Sequence, residues 1–544
     1  MSTHDSWDNS SRVSVIPSAS LSRLAFLSPP VIVAITIIVI STLLLRACLV
    51  TLRPKSFPPG PPTTPFTGNL LDIPLSKPYL TFTRWARTYG PIVGLKAGPM
   101  DLVILSDPED IHELFDRRGN IYAGRPYNYI ALNHVFEPDI GQIYLFQRND
   151  SLLKRWKRPA RWFLSQQGID GIMPILDAVS ARCLKALADR PSQFLEHLRV
   201  WALITPLIAL SGQANVSDDL LRTYFYRQRL LTRLLEPGKT PPVDFIVPLR
   251  WLPALFAGWK RDARFVRQHQ DAFYGEMLSK VVGAWERRKQ GEKDVGEYQA
   301  VMVRLLDEGM PEREVKWLGG GLLDAAFDTT SAAILNFVVA MAGHPEVLQK
   351  AREEVETVCQ GRMPSGDDAD QLPYLRACLM EMFRWRPSAP LGLPHVTDSD
   401  DIYKGYLIPR GTNIIVNAFS ILHNPDIHPN PTVFDPTRYL DPSTHTDEQS
   451  RSTWVFGAGR RRCMGDQYTV QALMVVMAKM VWALDMRLPE GTDLSIEGGF
   501  DDGLMMKPRE DLVVEFGVRD GREGKIAEEW EKGERELERM LGKS

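Results

Sequence analysis

The segment from Phe456 to Gly465, FGAGRRRCMG, constrains this chain more than any other stretch. It places a single cysteine, Cys463, after three consecutive arginines and before an apolar run that is compatible with a helix. Amide N–H groups at a helix start and nearby positive charges favour a thiolate. Gly459 and Gly465 predict tight turns that let the backbone lie against a flat partner. The segment therefore predicts a loop that presents one ionised sulfur.

The surroundings of Cys463 limit what that sulfur can bind. One thiolate cannot complete a tetrahedral zinc site, and neither a CxxC pair nor a nearby histidine supplies further ligands. Haem iron needs only one axial ligand of this kind. A lone cysteine is often just a small buried core residue, and that alternative stays open on the cysteine alone.

The loop also has a family likeness. Five residues fill each fixed position of the pattern F-x-x-G-x-R-x-C-x-G, which resembles the haem loop of the cytochromes P450: Phe456, Gly459, Arg461, Cys463 and Gly465. The resemblance covers roughly Phe57 to Phe516. It implies one catalytic unit that binds haem b, with Cys463 as the iron ligand and Arg461 as a further haem contact.

Composition is consistent with a globular protein. The 544 residues are 44% hydrophobic and 24% charged, which is ordinary usage. A net charge of −3 gives no general attraction to nucleic acid, so no nucleic-acid partner is expected. The five cysteines are scattered and odd in number, which argues against a disulfide framework and fits a reducing compartment.

The N-terminal part predicts a membrane anchor. Residues 1–23 are polar and predicted to be disordered. Residues 24–45 carry no charge, so we expect one transmembrane helix within 24–52 that faces the lipid bilayer. A cleaved signal peptide is disfavoured because the apolar run is long and no small-x-small cleavage site clearly follows. Flanking charges favour a cytosolic body only slightly, and resemblance to microsomal members implies the endoplasmic reticulum membrane.

The rest of the chain predicts a mainly α protein with a small β portion. Residues 53–66 are proline-rich and predict a stiff linker, 67–518 the catalytic domain, and 519–544 a charged tail without assigned chemistry. Alternation in 92–97 and 102–105 predicts a hairpin. Asp107 followed by Pro108 predicts a helix start. Most other segments have helical periodicity.

A long apolar segment, 318–342, predicts a buried helix that contains AAFDTT at 325–330. Acidic and hydroxyl groups there are costly unless they are hydrogen-bonded or hydrated. The motif resembles the oxygen-activation motif A-G-x-D-T-T, with Ala326 in place of the usual glycine. It implies that Thr329 hydrogen-bonds dioxygen and that Asp328 relays protons from solvent. The alternative is that Thr329 bonds a backbone carbonyl one turn back.

Asp324 lies four residues before Asp328, on nearly the same helix face. By the resemblance, Asp324 and Ala325 border the substrate. We predict that Asp324 bonds a hydroxyl or amine of the substrate, or an arginine from the loop after Arg117, because a carboxylate in an apolar site needs a polar partner. A bond to neighbouring groups of its own helix is an equal alternative.

Glu381 and Arg384 are spaced i, i+3 and so face each other on a helix. Such a pair is common on surfaces and says little alone. The segment FDPTRY at 434–439 resembles the family's P-E-R-F segment, with Thr437 at the usual glutamate. It implies that Arg438 joins the pair in a buried structural network.

Two further cofactor contacts follow from the resemblance. Trp156 lies in a basic run, KRWKRPARW at 154–162, which is usually a solvated face. In the family a tryptophan there binds a haem propionate; the arginine expected four residues later is replaced by Ala160, with Arg161 next. His395 stands where the family keeps a propionate-binding arginine or histidine, and 388–394 would border the substrate. The outward basic residues could face an acidic redox partner.

Together these motifs imply a membrane-anchored haem-thiolate monooxygenase acting on a small apolar organic substrate. Electrons would come from NADPH through a separate NADPH–cytochrome P450 reductase, with cytochrome b5 as a further donor, because no glycine-rich dinucleotide fingerprint follows a strand. The motif wording resembles fungal members that modify terpenoid, polyketide or alkaloid secondary metabolites.

Two other functions remain as alternatives. A haem-thiolate isomerase or dehydratase would need no reductase, but such enzymes typically lack the pair formed here by Asp328 and Thr329. A non-enzymatic, membrane-anchored lipid- or haem-binding protein would leave the oxygen-chemistry motifs unexplained.

Overall fold

The structure is a computed structural model. It describes residues 29–137, 151, 153–157, 165–236, 238–244, 246–292, 296–441, 452–501 and 503–542. The predicted disordered segment 1–23, Ala160 and Arg161 lie outside the described residues.

The α-helices account for most of the described chain. They are α1 Pro29–Thr51, α2 Pro78–Tyr89, α3 Pro108–Ile111, α4 Gly119–Tyr122, α5 Gln166–Asp189, α6 Phe194–Ser211, α7 Asp218–Leu235, α8 Gly258–Lys289, α9 Val301–Asp307, α10 Glu312–Gly343, α11 Pro345–Cys359, α12 Pro373–Trp385, α13 Ala418–Leu422, α14 Asp466–Ala483, α15 Ile496–Gly499 and α16 Glu523–Leu541. Residues 153–157 are also helical.

Shorter π and 3-10 segments connect these helices. The π segments are His112–Arg117 and Ala131–Val135. The 3-10 segments are Pro191–Gln193, Val247–Trp251, Gly366–Gln371, Pro436–Tyr439, Ser452–Phe456 and Gly459–Arg461.

The β portion is small. The strands are β1 Ile92–Ala97, β2 Met100–Leu105, β3 His395–Val396, β4 Asp401–Tyr403, β5 Tyr406–Ile408, β6 Asn413–Val416, β7 Leu484–Arg487 and β8 Glu515–Val518. One sheet has the order β1-β2-β6-β3, with only β2 and β6 parallel, and two hairpin-like pairs join β4 to β5 and β7 to β8. The predicted class, mainly α with a small β portion, is confirmed.

The predicted hairpin and helix start are also confirmed. Strands β1 and β2 pair antiparallel with Ala97 opposite Met100, so the second strand begins two residues earlier than the alternation indicated. The Asp107 carboxylate accepts a hydrogen bond from the backbone N–H of Asp110 and caps α3, with Pro108 at the first helical position.

Helix α1 presents apolar side chains to the outside. Its 22 residues Pro30–Thr51 have a mean hydropathy of 2.5 and the apolar window has 0% of its residues buried. A helix of this length extends about 33 Å, enough to cross the hydrocarbon core of a bilayer. Among the described residues, Pro191–Ser211 and Glu312–Gly343 are also long and apolar enough, but 78% of each window is buried. Their apolarity therefore belongs to the protein core.

The core is arranged around α10, which contacts α6, α8, α9, α11, α12 and α14. Gly320 makes one of these contacts possible. A Cβ at Gly320 would lie 2.4 Å from ring atoms of Tyr274 on α8. The glycine therefore lets the Tyr274 ring lie directly on α10.

The proline-rich segment packs on the catalytic body. Phe57, Gly60 and Pro61 are buried, and Pro59 accepts a hydrogen bond from the backbone N–H of Gly94 at 2.7 Å. The segment thus joins the end of the anchor to β1 by hydrogen bonds, which a free spacer would not do.

The charged tail contains α16, which packs along α5. Gly533 permits the contact, because a Cβ there would lie 3.1 Å from Ala178 Cα. Arg182 donates two hydrogen bonds of 2.7 Å to the Glu534 carboxylate. Leu537 is 3% exposed. The tail is therefore part of the folded body and covers α5.

We predict that Leu537→Ala lowers the free energy of unfolding by about 2–4 kcal/mol, because it leaves a cavity between α16 and α5. Arg535→Ala, at a side chain that is 66% exposed on the same helix, should change it by less than about 0.5 kcal/mol. Denaturant unfolding of both variants measures the difference. Equal unfolding midpoints would show that α16 contributes no stability.

Candidate active site

The loop before α14 is held in a tight turn. The backbone N–H of Cys463 donates to the Phe456 carbonyl at 2.8 Å. Gly457 and Gly459 have φ of +74° and +65°, a left-handed region that favours glycine. Gly465, in contrast, has an ordinary φ of −91°. The prediction of a glycine-dependent turn is therefore wrong for Gly465, and Gly457 is the second such position.

Gly459 brings the loop against the π segment His112–Arg117. A Cβ at Gly459 would lie 2.4 Å from the carbonyl oxygen of Phe115, so no larger residue fits without movement. The Phe456 ring meets that of Phe383 on α12 edge-on, with centroids 5.2 Å apart. The loop is thus packed between the π segment and α12.

Cys463 alone among the five cysteines has an exposed side chain. The side chain is accessible, but desolvation by the surrounding protein raises the pKa of its thiol to about 11. The backbone N–H of Gly465 and the charge of Arg462 oppose this shift but do not overcome it. Desolvation by the surrounding protein therefore outweighs the basic neighbours that the sequence places beside the sulfur.

The three arginines before Cys463 have different partners. Arg462 forms an ion pair of 3.1 Å with Asp466 in the first turn of α14. The Arg460 carbonyl accepts a hydrogen bond from Lys157. Arg461 turns inward, where its Nε donates to the Ala123 carbonyl at 2.9 Å.

Arg461 belongs to a group of basic side chains around His395. His395 is buried, and burial together with the charges of Arg125 and Arg461 holds its pKa well below the usual range. Arg125 donates to the carbonyls of Leu393 and Pro394 at 2.9 and 2.8 Å. Two guanidinium groups and one imidazole thus converge, an arrangement that suits an anion.

His395 is neutral in this arrangement. Its Nδ1 lies 2.8 Å from the Tyr122 carbonyl oxygen, which can only accept, so Nδ1 carries the proton. Donation from Nε2 to an anion would therefore require a second proton, which a neighbouring negative charge would favour. Arg125 and Arg461 already carry a positive charge and can bind an anion without taking up a proton. Sequence reasoning missed Arg125, because a single arginine between Gly124 and Pro126 has no pattern that marks it.

Trp156 has a different partner from the one predicted. Its indole N–H donates to Glu314 at the start of α10 at 3.3 Å, and Arg155 also donates to that carboxylate. Trp156 has a single N–H and is fully buried. In this structure a buried carboxylate takes the single indole donor, so the predicted contact with a propionate would have to replace the bond to Glu314. Glu314 had no signal in the sequence.

The network of Glu381, Arg384 and Arg438 is formed. Arg384 makes a bidentate pair with Glu381, with two N–O distances of 2.7 Å, and both side chains are 0% exposed. Arg438 Nε lies 3.5 Å from Glu381 Oε1. Arg384 also donates to the carbonyls of Pro431 and Val433. The network therefore ties α12 to the segment that leads to the cysteine loop.

Between Trp317 and Ala342, helix α10 is buried except at Asp328 and at four residues of one open face. Leu322, Ala325, Ala326 and Thr329 are half-buried and are spaced i, i+3, i+4, i+7, so they share one face. Thr329 Oγ1 donates to the Ala325 carbonyl at 3.1 Å. The backbone bond that competed with a catalytic role for Thr329 is thus present.

Asp324 and Asp328 lie on another face of α10 and contact α7. Arg227 binds Asp324 through both guanidinium nitrogens at 2.7 and 2.8 Å. Gln228 Nε2 and Thr232 Oγ1 donate to Asp328 at 2.8 and 3.1 Å. The predicted arginine from the loop after Arg117 is wrong, because the arginine that binds Asp324 comes from α7. The predicted bond to a substrate is also wrong, because a carboxylate already paired with Arg227 does not face a substrate.

The two aspartates have opposite protonation tendencies. Burial would raise the pKa of Asp324, but Arg227 and hydrogen bonds from Tyr274 and Gln270 more than offset it and hold the pKa below the usual value. Burial raises the pKa of Asp328, against hydrogen bonds from Gln228 and Thr232 and the charge of Lys507. Asp328 is thus the one that takes up a proton more readily.

A group of three or more metal-ligating side chains does not occur among the described residues.

Known proteins resemble the chain over most of its length. The family model for cytochrome P450 matches residues 58–514. Cytochrome P450 monooxygenase fogE of Aspergillus ruber is 31% identical over 515 residues, covering 92% of this chain and 94% of the relative. Cytochrome P450 monooxygenase grgG of a Penicillium species is 33% identical, with 87% and 89% covered. Cytochrome P450 monooxygenase virE of Hypocrea virens is 30% identical, with 88% of each covered.

We predict that Gly459→Ala disrupts the loop far more than Gly457→Ala. Both changes add the strain of a left-handed backbone, about 1–2 kcal/mol, but a Cβ at Gly457 meets nothing within 4 Å while one at Gly459 meets the Phe115 carbonyl. Thermal unfolding of the two variants gives the comparison. Equal losses would mean that the contact with the π segment does not hold the loop.

Proposed function

The chain belongs to the cytochrome P450 family, and on that premise we propose that it is a membrane-anchored haem-thiolate monooxygenase. It inserts one oxygen atom of dioxygen into a small apolar organic molecule and reduces the other to water, with two electrons and two protons. The observation that carries the proposal is the exposed sulfur of Cys463, presented by a loop in which two left-handed glycines form the turn.

The residues around the loop fit a haem group. Cys463 would supply a sulfur ligand for the iron, and Arg125 and Arg461 would supply two positive charges for the two propionates. When bound, haem with a thiolate ligand supplies the cleavage of dioxygen, because the thiolate pushes electron density toward the iron. The thiol would lose its proton on coordination, since a coordinating thiol is deprotonated outright. His395 would hold the backbone of Tyr122 beside the propionates.

The open face of α10 supports an apolar substrate. Leu322, Ala325 and Ala326 leave apolar surface there, and Thr329 adds one hydroxyl at its edge. Residues 391–394 are also half-buried and would form another wall. The chain's relatives are fungal monooxygenases, so we infer a substrate from fungal secondary metabolism, of terpenoid, polyketide or alkaloid type.

Two polar residues would handle protons at this face. Asp328 would accept protons from the side where Gln228, Thr232 and Lys507 lie and would release them toward the open face. Its raised pKa favours the uptake of a proton. Thr329 would exchange its bond to the Ala325 carbonyl for one to the reacting oxygen.

The electron donor would bind near the cysteine loop. Lys154, Arg155 and Arg460 are exposed, and Lys157 joins their segment to the loop through the Arg460 carbonyl. A basic surface there suits an acidic partner. We assign NADPH–cytochrome P450 reductase as the donor, with cytochrome b5 as an additional one.

A second apolar surface supports membrane association of the catalytic body. Trp251, Leu255 and Phe256 are 75–76% exposed, and Leu71 and Leu75 are 80% and 65% exposed. Leu75 packs beside the connection between α7 and α8 that carries the first group, because a Cβ at Gly238 in that connection would touch Leu75. Large exposed apolar side chains mark such an interface. With α1 they fit a single-pass anchor in the endoplasmic reticulum membrane and a cytosolic body.

We predict that Cys463→Ser abolishes the strongly red-shifted Soret band of the reduced carbon monoxide complex, because serine cannot supply a thiolate. Cys48→Ser, the same change in α1, should keep the band. Absorbance difference spectra of the purified proteins test this. A wild-type protein without that band, or a Cys463→Ser variant that keeps it, contradicts the proposal.

We predict that Asp328→Asn slows NADPH oxidation in the presence of the reductase and dioxygen by about 10- to 100-fold, because a proton carrier is lost. Thr329→Ala should keep NADPH oxidation but release more of its electrons as hydrogen peroxide. Thr330→Ala, a matched change at a buried neighbour, should do neither, and Ala326→Gly should be tolerated. Unchanged rates and peroxide yields in both principal variants would remove Asp328 and Thr329 from the mechanism.

A further inference from the structure

Two rungs of hydrogen bonds join α7 to α10. In the first, Arg227 reaches Asp324, and in the second, Gln228 and Thr232 reach Asp328. Asp324 and Asp328 are four residues apart on α10, so the rungs are one helical turn apart.

The first rung is a buried charge cluster. The side chains of Arg227 and Asp324 are 1% and 3% exposed. Tyr224 and Tyr274 donate to the same carboxylate at 3.0 and 2.6 Å, and Gln270 donates at 3.2 Å. Every donor comes from α7 or α8, so this carboxylate connects both helices to α10.

The second rung is weaker. The Asp328 carboxylate receives one amide and one hydroxyl hydrogen bond, both at Oδ2, and both donors are neutral. Hydrogen bonds between charged groups are roughly twice as strong as neutral ones and a bidentate pair also fixes geometry. The first rung is therefore the one that sets how α7 lies on α10.

We infer that Arg227 is a positioning residue for Asp328. Its fork on Asp324 fixes the register of α7 along α10, and that register places Gln228 and Thr232 on the Asp328 carboxylate. The inference rests on the proposed role of Asp328 as a proton carrier.

The geometry explains why register matters here. A shift of α7 by one residue moves it about 1.5 Å along its axis and turns each side chain by about 100°. Either movement takes Gln228 or Thr232 out of hydrogen-bond reach. A buried ionic pair gives little net stability compared with apolar residues, but it is well suited to specify register.

Charge removal can be separated from loss of packing. Arg227→Met with Asp324→Asn removes both charges together, so neither is left unpaired, and the asparagine oxygen still accepts from one of the two tyrosines. Arg227→Lys is a second, milder variant that keeps the charge but not the planar fork. Arg229→Met is the matched control, because Arg229 is on the same helix but 65% exposed and paired with Glu510.

The measurement is the rate of NADPH oxidation by the full-length haem-loaded protein with the reductase and dioxygen. It is divided by the rate at which the carbon monoxide complex forms, because that step needs electrons but no protons. We expect this ratio to fall about threefold or more in the double variant, less in Arg227→Lys, and not in Arg229→Met. We also expect a larger solvent isotope effect in the double variant.

Adding Asp328→Asn to the double variant shows whether Arg227 acts through Asp328. If it does, the triple variant has the same ratio as Asp328→Asn alone, because the positioned group is already gone. A double variant with the wild-type ratio, or losses that multiply in the triple variant, would overturn the inference.

A crystal structure of the double variant separates this inference from the proposed function. We expect Gln228 and Thr232 to lie beyond hydrogen-bond distance of Asp328; retained contacts would overturn the inference. If Asp328→Asn alone leaves the ratio unchanged, the proton-carrier role fails, and the positions of Gln228 and Thr232 in that crystal structure still decide whether Arg227 sets the register.

Discussion

The buried ion pair of Glu381 and Arg384 is the interaction on which the cysteine loop depends. Both side chains are 0% exposed, and removing one partner of such a pair costs about 3–5 kcal/mol because the other charge stays buried. Arg384 also donates to the carbonyls of Leu422, Pro431 and Val433. One guanidinium thus holds α12 against residues 422–433, which lie between α12 and the loop in the chain.

The two faces of α10 carry different kinds of residue. The open face carries apolar residues and Thr329, and the face toward α7 carries Asp324 and Asp328. In the proposed mechanism, Asp328 connects the face toward α7 with the open face. The acid and the alcohol of the motif, Asp328 and Thr329, are adjacent in sequence but lie on different faces of α10.

Patterns among residues that are close in sequence were sufficient to predict much of the fold. The hairpin of β1 and β2, the Asp107 cap, the buried helix around 318–342 and the anchor helix follow from alternation, capping and apolar length. The network of Glu381, Arg384 and Arg438 and the cysteine loop follow from motif spacing. In each of these the partners are near in sequence or the motif itself carries the relation.

The sequence by itself determined the fold class, the family resemblance and the position of Cys463, because those depend on residue types at fixed spacing. Only the tertiary structure decided which polar groups meet: Arg227 with Asp324, Trp156 with Glu314, and Arg125 with Arg461 around His395. These partners are about 100 residues or more apart in the chain. A buried donor or acceptor is satisfied by whatever packing brings near, so its partner has no local signal. Burial likewise raises the pKa of the Cys463 thiol above what its basic neighbours in sequence indicate.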